Sequence, residues 1–156
     1  MLSTLKELPS AHAYPVNIPI LLVSPHQNDV AALRHILHHS DWDITPVETV
    51  IAARKHLSRH AAAVVLCERD LPDGSWSDIL RTTSQMEQSP LLLVISRHAD
   101  DALWAEVLNL GGYDVLLKPF DKGEVARVVG MAWRHWWSIC TGSAARRAAA
   151  HMHQQV

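Results

Sequence analysis

Four short apolar runs of this chain end in polar residues, and these residues are the first candidates for chemistry. The runs end in Ser24-Pro25, Glu68-Arg69, Ser96-Arg97 and Lys118-Pro119. Where such runs are parallel strands of one sheet, ligands bind outside the carboxyl ends of the strands. The sequence therefore predicts a site at one edge of a sheet, built around an acidic, a basic and two hydroxyl-bearing residues.

Histidine offers a second kind of chemistry, since eleven are present. His35, His38 and His39 have the i, i+3 and i+4 spacing that can present imidazoles to Zn²⁺ from a helix. No cysteine or carboxylate at matching spacing completes a site, so we interpret them as a solvated helix face. His26, at the predicted edge, is interpreted as a loop residue, and Cys67 as part of the core. The sequence predicts neither a metal nor a cofactor.

The apolar runs themselves predict the elements that position the site. Each has the length of a strand and is apolar on both faces, as strands covered by helices on both sides must be. The runs are Ile18–Val23, Ala62–Cys67, Leu91–Ile95 and Val115–Leu117, with a weaker fifth strand at Asp43–Val47. Helical patterns lie between them. Their predicted N-terminal caps are Asn28 or Asp29, Thr49, Ser75 or Ser77, Asp100 or Asp101, and Asp121, and Gly111 ends the fourth helix.

Strands therefore alternate with helices along the whole core. This alternation predicts an α/β fold with a parallel sheet, right-handed crossovers and helices on both faces.

Three motifs in this order resemble the receiver domains of response regulators, the CheY-like family. They are Leu71-Pro72-Asp73-Gly74 after a strand, Gly111-Gly112, and Lys118-Pro119-Phe120. The resemblance covers about residues 18–138. It implies a flavodoxin-like, doubly wound five-stranded sheet of order 2-1-3-4-5, and a role in two-component (phosphorelay) signal transduction.

The resemblance also implies functional positions, which this sequence fills only in part. Ser96 and Lys118 match the family's hydroxyl and lysine. The acidic pair that holds Mg²⁺ in the family falls on Ser24 and Pro25, the phosphoacceptor aspartate falls on Glu68, and the aromatic switch residue falls on Val115.

These departures predict a receiver that does not catalyse its own phosphorylation. Mg²⁺ prefers hard oxygen ligands, usually one or two carboxylates with waters and phosphate. Pro25 offers no side-chain oxygen, which leaves Glu68 as the carboxylate that the sequence predicts in the pocket. We expect Glu68 to reach Lys118. Two interpretations remain open: a built-in mimic of phosphoaspartate, or an ion pair in a decayed pocket.

Trp133, Trp136 and Trp137 cluster near the end of the last predicted helix. Since a helix turns about 100° per residue, we expect at least one indole to be exposed in a monomer. One interpretation is an aromatic anchor for a partner or a second copy; the other is a tail that folds back over the indoles.

Composition fits a single soluble domain. The chain has 156 residues, 48% of them hydrophobic, and a formal net charge of −2. This charge gives no general attraction to nucleic acid or an anionic membrane. Cys67 and Cys140 form no disulfide framework, and neither a signal peptide nor a membrane-spanning segment is recognised, so a cytoplasmic location is expected. We divide the chain into an N-terminal extension (1–16), a receiver-like domain (17–139) and a helix-prone tail (140–156).

The predicted function is that of a pseudo-receiver: a signalling module that acts by protein–protein interaction, without enzymatic activity. We expect a protein partner and a homodimer formed through the fourth helix, fifth strand and fifth helix. Two alternatives remain. The first is a conventional phosphorylatable response regulator. The second is a regulator whose output is a nucleic-acid-binding tail around Arg146-Arg147, or an effector beyond residue 156.

Overall fold

Five parallel strands form the central sheet of the protein, in a computed structural model that describes residues 17–38 and 41–154. The strands are β1 (Ile18–Val23), β2 (Trp42–Val47), β3 (Val64–Glu68), β6 (Leu91–Ser96) and β7 (Asp114–Leu117). Two short strands, β4 (Asp70–Leu71) and β5 (Gly74–Ser75), pair antiparallel in a separate hairpin. The predicted N-terminal extension (1–16) and His39 lie outside the described residues.

The sheet order is β2-β1-β3-β6-β7, and every neighbouring pair is parallel. Since β4 and β5 stand apart, this is the predicted order 2-1-3-4-5, and the doubly wound α/β fold is confirmed. The registers align the strand ends: Val23 lies beside Cys67, and Glu68 lies beside Ile95.

Helices cover both faces of this sheet because its strands are apolar on both faces. Ile20 and Leu22 of β1 belong to a core shared with the first and last helices. Leu21 and Val23 alternate with them and belong to a second core on the opposite face, shared with the three helices between. Successive side chains of a strand point to opposite faces, which is how one apolar run serves two cores.

The helices are α1 (Gln27–Leu37), α2 (Val50–Leu57), α3 (Trp76–Thr83), α4 (Asp101–Leu110) and α5 (Lys122–His153). Four caps fall where the sequence predicts them: Thr49, Ser75, Asp100 and Asp121. Gly111 ends α4 with φ 105°, a left-handed conformation that favours glycine. The predicted start of the first helix is wrong. His26 is its N-cap, so Asn28 and Asp29 lie inside the first turn.

Helix α5 is 32 residues long and crosses the predicted division at residues 139 and 140 without a break. Its side chains are exposed from Ala145 to His153. The division into domain and tail stays a prediction, with a single helix running through it.

The expectation of an exposed indole on α5 is wrong. Trp133 is buried, and Trp136 and Trp137 are half-buried against the core that α5 shares with α1. The rings of Trp133 and Trp137 lie 5.3 Å apart between centroids. The three residues have i, i+3 and i+4 spacing, which places them on one stripe of the helix. One packing face can therefore take all three.

Candidate functional site

The polar residues that end the strands do meet at one edge of the sheet. Ser24 follows β1, Glu68 ends β3, Ser96 ends β6 and Lys118 follows β7. All four are buried, with exposed fractions of 1%, 8%, 4% and 8% respectively. Polar and charged side chains at this depth require partners, because an unpaired buried charge is strongly destabilising.

Lys118 supplies the central contact of the cluster. Its ammonium group donates a hydrogen bond to Oε2 of Glu68, so the predicted ion pair is confirmed. The same Nζ also donates to Oδ2 of Asp29, at 2.9 Å. The lysine therefore bridges two carboxylates that come from different elements, β3 and α1.

Asp29 is the residue that the sequence argument missed. Glu68 was predicted as the single carboxylate of the pocket, and that prediction is wrong. Because α1 begins at Gln27 rather than at Asn28 or Asp29, Asp29 occupies the first turn of the helix, and its side chain is buried in the cluster. A carboxylate in the first turn is also favoured by the positive end of the helix dipole. The sequence did carry a signal for this residue: Asp29 is a carboxylate five residues after Ser24, the serine that follows the first strand.

Ser24 holds Asp29 in this position. Its hydroxyl donates to Oδ2 of Asp29 at 2.8 Å and accepts the backbone N–H of His26 at 3.1 Å. The serine thus satisfies an N–H at the start of α1 and orients the carboxylate. Pro25, the other position of the predicted degenerate pair, contributes no side-chain oxygen.

The two remaining predicted positions lie nearby without joining the ion cluster. The Ser96 hydroxyl accepts the backbone N–H of His98 at 3.1 Å. Val115 is fully buried, with an exposed fraction of 1%, in the core that the sheet shares with α2, α3 and α4. Cys67, next to Glu68, is core as predicted: burial, and secondarily the charge of Glu68, raise the pKa of its thiol.

The Leu71-Pro72-Asp73-Gly74 motif has a role in positioning a helix. Asp73 lies at the tip of the β4–β5 hairpin, and its carboxylate accepts the backbone N–H groups of Val50 at 2.7 Å and Ile51 at 3.1 Å. These are orphan donors at the start of α2. The hydrogen bond from Val50 is the main cause that lowers the pKa of Asp73, with smaller support from Ile51 and Arg54. The hairpin therefore ties α2 to the candidate-site edge.

Comparison with known families identifies this arrangement. The sequence model of the response regulator receiver domain matches residues 20–129, more than half of the chain. The chain belongs to this family. A receiver domain of two-component signalling thus accounts for both the fold and the position of the buried cluster.

Similar proteins agree with the receiver assignment. The response regulator protein PilR of Pseudomonas aeruginosa is 29% identical over 115 residues. That match covers 72% of this receiver but only 26% of PilR, so the chain spans about a quarter of its relative.

Solved receiver structures show the same fold at lower identity. The signal receiver domain of an HD domain-containing protein from Pseudomonas fluorescens superposes with a TM-score of 0.75 at 21% identity, covering 86% of this chain and 98% of that one. A second structure is the receiver domain of sensor histidine kinase PA1611 from P. aeruginosa, solved with magnesium coordinated in its active-site cleft. It superposes with a TM-score of 0.65 at 21% identity, covering 78% of this chain and 98% of that one.

Two kinds of feature are absent from the described ranges, 17–38 and 41–154. No group of three or more histidine, cysteine and carboxylate side chains there is arranged to hold a metal ion. No helix there combines the length and apolar character needed to cross a membrane.

Proposed function

We propose that this receiver transmits its signal by protein–protein interaction, without being phosphorylated. The observation that carries the proposal is the double engagement of Lys118. In the receiver family this lysine is expected to face the phosphoryl group. Here its ammonium is held by both Asp29 and Glu68.

Charge at the cluster supports the proposal. Two carboxylates share a single ammonium, all three groups being buried. An incoming phosphoryl group is itself an anion and would add like charge to this edge, where the low local dielectric strengthens repulsion. The Glu68 carboxylate already occupies the phosphoacceptor position that the family resemblance assigns to aspartate.

The donor set does not suit the Mg²⁺ that receivers use. Magnesium demands near-octahedral oxygen coordination. Pro25 has no side-chain oxygen, the Ser24 hydroxyl donates a hydrogen bond to Asp29, and both carboxylates already bind the Lys118 ammonium. The ammonium thus serves as the internal cation of the site.

We therefore expect the protein not to become phosphorylated. Purified protein incubated with millimolar Mg²⁺ and a small phosphodonor such as acetyl phosphate should keep its mass in intact-protein mass spectrometry. Glu68→Asp should also stay unmodified, because it restores the acceptor but not the metal ligands. A conventional receiver treated in parallel shows that the donor is active.

A mass gain of one phosphoryl group that disappears in Glu68→Gln would overturn the proposal and favour the conventional receiver. A gain that persists in Glu68→Gln would place the phosphoryl group on another side chain and would also contradict a receiver that acts without being phosphorylated.

We further propose a second copy of this chain as one partner, bound through α4, β7 and α5. The support is apolar surface on these three elements: the exposed residues there include Leu108, Leu110, Leu117 and Met131. Exposed apolar surface that spans neighbouring elements is typical of interaction sites, and a symmetric dimer is the commonest assembly of soluble proteins. Trp136 and Trp137, the predicted anchors, lie half-buried on the same helix.

A further inference from the structure

A histidine pair lies at the edge of the sheet opposite the buried ion cluster. Helix α2 starts beside Asp73 at the carboxyl edge and runs antiparallel to the strands, so its last turn reaches the amino edge. His56 is in that turn, and His60 follows after the helix ends. The backbone N–H of His60 donates to the carbonyl of His56 at 2.9 Å, which continues the helical geometry by one turn.

This turn places the two imidazoles side by side. Their ring centroids are 4.6 Å apart with an interplanar angle of 21°. Nδ1 of His60 lies 3.3 Å from the carbonyl oxygen of His56. A carbonyl can only accept, so Nδ1 carries the hydrogen and Nε2 of His60 keeps its lone pair. Metal-binding histidines usually donate their other ring N–H to a backbone carbonyl or carboxylate in this way, which fixes the tautomer.

The pair opens onto a cavity of about 510 Å³ between α2 and the starts of β1 and β2. The charged and titratable groups that line it are Asp43 of β2 and, on the α2 side, His56, Arg59 and His60. Asp43 offsets the charge of Arg59, and the negative end of the α2 dipole points to this side and favours a cation. Burial, and next the charge of His60, lower the pKa of His56, so its imidazole is neutral at neutral pH and available as a ligand.

We propose that His56 and His60 bind a divalent transition-metal ion such as Zn²⁺ in this cavity. Histidines at i and i+4 on one helical face are a recognised chelating pair for zinc. Among the described residues no third histidine, cysteine or carboxylate, Asp43 included, is placed to close the site, so water completes the coordination sphere. This makes the site an open, exchangeable one, independent of the buried cluster around Lys118.

Another stacked pair provides a matched control. His35 in the last turn of α1 and His38, which follows the helix, have i, i+3 spacing and ring centroids 5.5 Å apart. His35→Ala removes one imidazole from the chain without touching the cavity. It therefore separates binding at His56 and His60 from the general affinity of a histidine-rich protein.

The test is calorimetric titration of Zn²⁺ into the full chain, without an affinity tag and stripped with a chelator, at pH 7.5. His56→Ala and His60→Ala should each weaken the tightest zinc-binding event at least about tenfold, since losing a ligand removes the chelate. The double variant should be no weaker than either single one. His35→Ala should bind as the wild type does, and binding should weaken on acidification, because a metal ion competes with protons for its ligands.

Nuclear magnetic resonance gives a second readout that does not depend on affinity. The imidazole signals of His56 and His60 should shift or broaden first on adding Zn²⁺, and Mg²⁺ should leave them unchanged. Equal zinc affinity in the wild type and the His56→Ala/His60→Ala variant would overturn the proposal. So would an equal loss of affinity in His35→Ala.

Discussion

At the scale of single residues, the balance of charge around Lys118 controls the candidate site. One ammonium serves Asp29 and Glu68, and the Lys118 and Asp29 side chains are only 5% and 6% exposed. Removing the lysine charge should therefore destabilise the protein more than removing one carboxylate charge. Loss of the lysine leaves two carboxylates facing each other, whereas loss of one carboxylate leaves a paired lysine.

Lys118→Met should lower the free energy of unfolding by about 3–5 kcal/mol, the usual effect of leaving a buried charge unpaired. Glu68→Gln alone should have a smaller effect, because Lys118 keeps Asp29. Adding Glu68→Gln to Lys118→Met should recover part of the loss. Urea unfolding of the four proteins gives the coupling energy, and strictly additive losses would contradict a direct interaction.

The residue scale is also where sequence reasoning went furthest wrong. The positions of Glu68, Ser96 and Lys118 followed from strand ends and a family resemblance. The position of Asp29 did not, because it depends on where α1 begins. Moving the helix start by one or two residues changes Asp29 from a cap into a buried carboxylate of the first turn. Trp136 and Trp137 were misjudged because i, i+3 and i+4 residues lie on one stripe.

At the scale of elements, the fold was predictable where a local signal exists. Apolar runs marked the five sheet strands, and Thr49, Asp100 and Asp121 marked helix starts through their side-chain caps. The β4–β5 hairpin had no such signal, since four residues of pairing leave no periodicity. Its function emerges only in three dimensions, where Asp73 caps a helix 23 residues earlier in the chain.

The Asp73 cap predicts a pH dependence. Its pKa in the folded protein lies below the ordinary value of about 3.9, so the ionised form stabilises the fold. That contribution is present above the unfolded-state pKa of about 3.9 and is lost as the pH falls through the lowered pKa of the folded protein. Asp73→Asn should therefore unfold at lower temperature than the wild type at pH 7, and the difference should shrink below pH 3. A difference that grows on acidification would contradict this assignment.

Glycines on two helices should respond in opposite directions to alanine. A Cβ on Gly142, inside α5, would meet no other atom within 4 Å, so Gly142→Ala should stabilise the helix by about 0.5–1 kcal/mol. Gly111→Ala should destabilise by about 1–2 kcal/mol, because alanine is strained at φ 105°. Thermal unfolding followed by circular dichroism measures both. No gain for Gly142→Ala would show that this part of α5 does not fold with the domain.

At the scale of the whole molecule, the proposed dimer depends on surface rather than on core. Leu117 is 42% exposed on the edge strand β7, and Ile51 is 70% exposed on α2, away from that edge. Neither residue belongs to either core, so charged substitutions at these positions compare two surfaces of the protein.

Leu117→Glu should shift the protein toward monomer in sedimentation velocity at micromolar concentration, and Ile51→Glu should sediment as the wild type does. A charge placed in an apolar interface must be desolvated without a partner, which weakens association. A monomeric wild type would refute self-association through α4, β7 and α5. Equal dissociation by both substitutions would point to a different interface.

Helix α5 has a mechanical consequence. At 1.5 Å per residue, its 32 residues form a rod about 48 Å long, longer than a small domain is wide. Arg147 meets Glu87 at 2.7 Å, but both side chains are largely exposed, so this contact restrains the rod only weakly. A rotation of about 10° where α5 leaves the core near Ala145 would move its far end by about 2 Å over the last nine or so residues. Any repacking around Trp133 that tilts α5 would therefore produce a larger displacement at His153 than at the core.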